Sequence, residues 1–95
     1  MKHPAVYIIS NRYRGTLYIG VTSDLIQRVW QHKHDVIAGF SQRYRLHLLV
    51  YFELYDTMAF AISREKALKK WRRQWKLSLV EEANPTWSDL YNTIL

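Results

Sequence analysis

The chain has 95 residues, a formal net charge of +6 and a sequence pI near 9.8. That length predicts one domain, residues 1–95, with a single modest core, and the absence of cysteine excludes a disulfide framework and a thiolate metal site. "MKHPAVYIIS" has too short an apolar run for a leader, and no stretch reaches the roughly 20 apolar residues of a membrane span, so a cytoplasmic protein is the simplest expectation.

In chain order, "AVYIIS" is a short apolar run rich in β-branched and aromatic residues and predicts a buried strand. "NRYRG" follows, with Asn11 and Gly15 as turn residues. "TLYIGV" predicts a second strand, and so short a connection predicts an antiparallel hairpin. Symmetric closure would pair residues that sum to about 25, the register of a short loop. Tyr7 and Tyr18 would then face each other.

"TSDLIQRVWQHKHDVIAG" predicts a helix. Thr22 or Ser23 is the expected N-cap, Asp24 sits in the first turn, and Gly39 is the expected stop. "FSQRYR" reads as a basic loop. "LHLLVYFELY" is a third strand, apolar enough to be central. Asp56 or Thr57 caps a second helix running to about Trp75, with a break near Lys76 before "LSLVEEA". Asn84-Pro85 ends that segment, and "WSDLY" predicts a last short turn. The order β-β-α-β-α-α implies a three-stranded, mostly antiparallel sheet flanked by helices, an α/β (α+β) architecture.

Half of the fourteen Lys and Arg residues lie in "REKALKKWRRQWK". Such a balance points to a polyanionic partner, above all nucleic acid. Arg12, Arg14, Lys33, Arg43, Arg45, Lys69 and Arg72 are the candidate contacts to phosphates. Trp71 and Trp75 interleave with the cations; their spacing of four favours core packing over stacking on bases.

Three groups of residues stand out. Tyr7 and Tyr18 lie on strands, where a cross-strand aromatic pair in the core is the plainer explanation. Arg28 and His32 share one helical face; they suit phosphate binding and proton transfer, or simply a polar surface. Glu65 projects from the apolar stripe between Ile62 and Leu68. A carboxylate there needs a cationic partner or a metal, and one carboxylate with water and a substrate phosphate is a common magnesium arrangement. His3, His34 and His47 have no partner at metal-ligand spacing.

Taken in order, "AVY" at 5–7, "YIG" at 18–20, Arg28 and His32 in "TSDLIQRVWQH", and Glu65 resemble the GIY-YIG nuclease superfamily. The likeness extends to small stand-alone bacterial proteins through "REKALKKWRRQWK" and the later "NPTWSDL". Ala5 replaces the glycine of the first half-motif, a change tolerable in a strand. No further DNA-binding segment accompanies the motifs, so target choice stays open.

The resemblance implies a three-stranded antiparallel sheet with flanking helices. It implies hydrolysis of DNA phosphodiesters, branched or damaged DNA included, with one divalent ion, Mg²⁺ or Mn²⁺. It makes Glu65 the metal anchor, Tyr7 the general base or proton relay, Tyr18 and His32 the residues that position water and phosphate, and Arg28 the stabiliser of transition-state charge. Asn84 corresponds to an asparagine of the last family motif. A non-catalytic nucleic-acid-binding module of the same fold and an RNA-cleaving nuclease are the alternatives.

Overall fold

The computed structural model describes residues 3–95. The expected domain begins two residues earlier, outside the described residues. Strands β1 (Ala5–Ser10) and β2 (Leu17–Thr22) are followed by helices α1 (Leu25–Lys33) and α2 (Phe40–Arg43). Strand β3 (Leu48–Leu54) leads to helices α3 (Met58–Lys70), α4 (Arg73–Ala83) and α5 (Tyr91–Ile94).

The sheet is antiparallel throughout, in the order β2-β1-β3. The central strand is therefore β1 rather than β3. All six residues of β1 are buried, which is what a strand covered on both faces requires. Residues alternate between faces. Val6 and Ile8 pack with Ala61 and Leu68 of α3 and with Leu77 and Val80 of α4. Ala5, Tyr7 and Ile9 pack with Leu25 and Val29 of α1 on the other face. A bulge in β3 opposite Ile8 and Ile9 lets Val50 join the first cluster and Leu49 the second.

The hairpin register differs from the expected one. Tyr7 pairs with Gly20, and Tyr18 pairs with Ile9. The connecting loop is longer than a tight turn, and Arg14 takes its left-handed position. Within it Asn11 Oδ1 accepts from the Thr16 N–H. The shift is two residues, so every side chain keeps its expected face. Tyr7 and Tyr18 are diagonal neighbours, with ring centroids 6.3 Å apart.

Asp24, not Thr22 or Ser23, caps α1: its Oδ1 accepts from the Gln27 N–H at 3.2 Å. Thr22 orients the cap by accepting from the Asp24 N–H. The helix stops at Lys33, well before Gly39, because Asp35 takes a left-handed conformation that aspartate tolerates better than most residues. Gly39, with φ 117°, instead precedes α2, so part of the expected loop "FSQRYR" is helical.

Of the two candidate caps, Thr57 rather than Asp56 caps α3, its hydroxyl accepting from the Phe60 N–H. The break after α3 falls at Trp71 and Arg72, earlier than Lys76; both residues are extended. Arg73 donates from Nη2 to the carbonyls of Arg14 and Gly15 at 2.7 and 2.8 Å, tying the start of α4 to the hairpin loop. Trp71 packs partly into the core, but Trp75 is 52% exposed, so the helical spacing predicted the burial of only one.

Candidate active site

Four elements converge at the β2 side of the sheet. Strand β1 supplies Tyr7, which is 1% exposed. Its ring reaches across the neighbouring strand over Gly20. A Cβ on Gly20 would lie 2.4 Å from Tyr7 Cζ and from Tyr7 Oη. The glycine of "YIG" is therefore required in mid-strand by a close approach of the tyrosine.

Helix α1 supplies His32, also buried at 2% exposure. Its Nε2 lies 2.9 Å from Tyr7 Oη, and its Nδ1 lies 2.9 Å from Ser41 Oγ of α2. The imidazole thus bridges two hydroxyls in a buried chain that joins β1, α1 and α2. Tyr18 packs beside it, with ring centroids 5.5 Å apart, and Phe40 stacks on Tyr18 from the solvent side.

Burial acts most strongly on this chain, and the nearby charges adjust it. Burial, then Arg28, then His47 push the His32 imidazole down to about 4, so it is neutral at pH 7. Burial and the neighbouring Tyr18 push the Tyr7 phenol well above its ordinary value; Arg28 pulls it down and Glu65 adds to the rise. The cation near Tyr7 is outweighed, and the phenol of the free protein keeps its proton. Tyr7, Tyr18 and His32 thus lie together, with Arg28 and Glu65 in electrostatic reach.

Helix α3 brings Glu65 from the other face of the sheet, since α3 packs along β2 and β1. The side chain is only 12% exposed, and Lys69 Nζ lies 2.9 Å from its Oε2. The preceding residue, Arg64, forks onto Glu53 of β3 at 2.9 and 3.0 Å, which anchors the helix that carries Glu65. No group of three or more His, Cys, Asp or Glu among the described residues forms a closed metal site. A single shielded carboxylate can still hold one divalent ion when the remaining ligands are water and substrate phosphate.

Asn84 lies apart from this cluster. Its Nδ2 donates to the carbonyls of Val50 and Ser88 at 3.0 and 2.9 Å, and its Oδ1 accepts from the Ser88 N–H. Every polar atom of its side chain is used to hold the end of α4 against β3. The candidate phosphate contacts divide. Arg12, Arg43, Arg45 and Arg72 are exposed and enter no ion pair found among the described residues. Arg14 forks onto Glu81, Lys33 bonds Asp89 and the His47 carbonyl, and Lys69 pairs with Glu65. A cationic hollow of about 420 Å³ lies at the hairpin loop, lined by Arg12, Arg14, Arg73 and Lys76 among others. An apolar hollow of about 610 Å³ between α1, β3 and α5 shares no lining residue with the Tyr7–His32 chain.

Ser41 is the residue that sequence reasoning missed. It lies in a segment that reads as a polar loop, and nothing in its neighbours signals a buried hydroxyl.

The model of the GIY-YIG catalytic domain matches residues 3–78. A UPF0213 protein of Staphylococcus saprophyticus is 35% identical over 77 residues, which cover 81% of this chain and 93% of the relative. A UPF0213 protein of Staphylococcus aureus strain Mu3 is 38% identical over 68 residues, 72% of this chain and 83% of the relative. No solved structure gives a significant match.

Proposed function

This chain belongs to the GIY-YIG family, a family of nucleases, and from that premise we propose that it is a divalent-metal-dependent endonuclease that hydrolyses phosphodiester bonds in DNA. The observation that carries the proposal is the 2.9 Å contact between Tyr7 Oη and His32 Nε2, with Arg28 and Glu65 close enough for their charges to act on the phenol.

In this mechanism Tyr7 Oη holds the attacking water. The water's proton passes to Tyr7 Oη as the phenol's own proton passes to His32 Nε2. The phenol is too weakly acidic to ionise alone, and the neutral imidazole beside it offers a lone pair for the proton, although its burial makes it a weaker base than an ordinary histidine. Arg28 faces the charge that develops on the phosphate, a role worth about 2–4 kcal/mol in comparable sites. Tyr18 orients the phosphate and the water. Glu65 would hold the ion, which when bound supplies positive charge to the phosphoryl and leaving oxygens. The exposed cations Arg12, Arg43, Arg45 and Arg72 take flanking phosphates without reading sequence, and the substrate class includes branched or damaged DNA.

The test is incubation of the protein and of Glu65→Ala with plasmid DNA, branched DNA and RNA, each with Mg²⁺ or Mn²⁺. Cleavage of DNA by the wild type and at least a hundredfold loss in the variant are expected. Cleavage of RNA alone would assign an RNA-cleaving nuclease. Equal inertness of both proteins, with DNA binding intact, would assign a non-catalytic binding module.

A further inference from the structure

We propose that Ser41 is a positioning residue of this site: its hydroxyl oxygen accepts from the Nδ1–H of His32 and so holds the imidazole in the tautomer whose bare Nε2 faces Tyr7. The inference rests on the nuclease mechanism above for its purpose, but not for its geometry.

A neutral imidazole has one N–H and one lone pair on its ring nitrogens. Flanked by two hydroxyls at 2.9 Å each, His32 accepts from one and donates to the other. Two arrangements satisfy the distances. In the first, Tyr7 donates to Nε2 and Nδ1 donates to Ser41. In the second, Ser41 donates to Nδ1 and Nε2 donates to Tyr7.

The chemistry of the two hydroxyls decides between them. A phenol is a far better donor than an aliphatic alcohol, with an ordinary pKa of about 10, and a poorer acceptor because its lone pairs are delocalised into the ring. The pairing of strong donor with lone pair, and of N–H with the more basic alcohol oxygen, is the first arrangement. Either arrangement leaves one buried hydroxyl proton without an acceptor among the described residues, that of Ser41 in the first and that of Tyr7 in the second, and the phenol, the stronger donor, is the costlier of the two to leave unpaired.

The fold supports this role. Ser41 is buried although it lies in a four-residue helix flanked by exposed residues. Its own backbone is held: the Ser41 carbonyl accepts from the Leu46 N–H at 2.9 Å. The left-handed turn at Asp35, pinned by His47, returns the chain so that α2 lies over the end of α1. A histidine used as a proton acceptor has its reactive nitrogen chosen by the hydrogen bond its other nitrogen makes.

The test is nitrogen NMR of the ¹⁵N-labelled full-length protein at pH 7, which separates a protonated from a bare ring nitrogen. The wild type is expected to show His32 with Nδ1 protonated and Nε2 bare. Ser41→Ala should shift a substantial fraction to the opposite tautomer, and Ser41→Thr, which keeps the hydroxyl, should restore the wild-type pattern. A wild-type spectrum with Nε2 protonated overturns the proposal even if Ser41→Ala fails to fold, and so does an unchanged tautomer in a folded Ser41→Ala. In the nuclease assay, kcat of Ser41→Ala should fall about tenfold or more with KM near wild type and recover in Ser41→Thr; an unchanged kcat overturns the positioning role. A protein that shows the expected tautomers but cuts nothing leaves the Ser41 assignment standing and removes the nuclease reading.

Discussion

Gly20 lies directly across the β1–β2 ladder from Tyr7, and the tyrosine ring occupies the space that any Cβ at position 20 would need. The two residues are one packing unit. Gly20→Ala should force Tyr7 off its rotamer and cost about 1–3 kcal/mol, lowering Tm by several degrees. The cost should shrink in a Tyr7→Leu background, where the ring is gone. A double-mutant cycle by thermal unfolding measures this; additive losses would show that the contact is not the cause.

The buried imidazole predicts a pH dependence. His32 goes from an ordinary 6.5 to about 4 in the fold, through burial first and then the charges of Arg28 and His47. Between those values the unfolded chain binds the proton more readily, so stability rises with pH there. The contribution is complete above about 6.5, is lost as pH falls towards 4, and amounts to roughly 3 kcal/mol in all. Urea unfolding of wild type and His32→Gln from pH 4 to 7 should show a steeper loss on acidification in the wild type.

Asn84 binds Val50 and Ser88 with every polar atom it has. Asn84→Ala leaves a buried carbonyl without its donor and should cost about 1–3 kcal/mol. Because the residue lies away from Tyr7 and His32, cleavage per folded molecule should stay close to wild type. Denaturant unfolding and kcat together check this; a large kcat loss without a stability change would place Asn84 in the chemistry.

The basic residues should not contribute equally to DNA binding. Removing Arg12, Arg43 or Arg45 to Ala should each lower the slope of log K against log salt by about 0.9 if it neutralises one duplex phosphate. Arg14 and Lys33 are committed to Glu81 and Asp89, so their replacement should change the slope less. Fluorescence titrations at several salt concentrations distinguish the two groups.

Lys69 competes for the carboxylate proposed as the metal anchor. Lys69 is half exposed, and an i,i+4 pair along a helix is worth about 0.3–0.5 kcal/mol. Lys69→Ala should therefore tighten Mn²⁺ binding about twofold, and Glu65→Gln should weaken it severely. Isothermal calorimetry reads both; an affinity that ignores Glu65→Gln would move the metal elsewhere.

Local pattern was enough for much of this. The unbroken apolar run of "AVYIIS" predicts a buried strand, as β1 is, though not that it rather than the third strand is central, and Thr57, one of two candidate caps, is legible because its hydroxyl needs only the backbone three residues on. Glu65 stands out as a carboxylate in an apolar stripe, and it is indeed shielded and beside a lysine. The hairpin register was not legible. It depends on how a six-residue loop folds on itself, with Arg14 rather than Gly15 in the left-handed position. Likewise, the helix break at Trp71 and Arg72 coincides with a contact to the hairpin loop nearly sixty residues earlier.

The order of Tyr7, Tyr18, Arg28, His32 and Glu65, and the face each takes on its own element, follow from the sequence, because side-chain direction repeats every two residues in a strand and about every 3.6 in a helix. The bond from Tyr7 to His32, the glycine beneath the ring and the hydroxyl of Ser41 behind the imidazole belong to the tertiary structure alone. They join segments separated by a loop, a helix and a turn, and no local periodicity encodes a distance across such a gap.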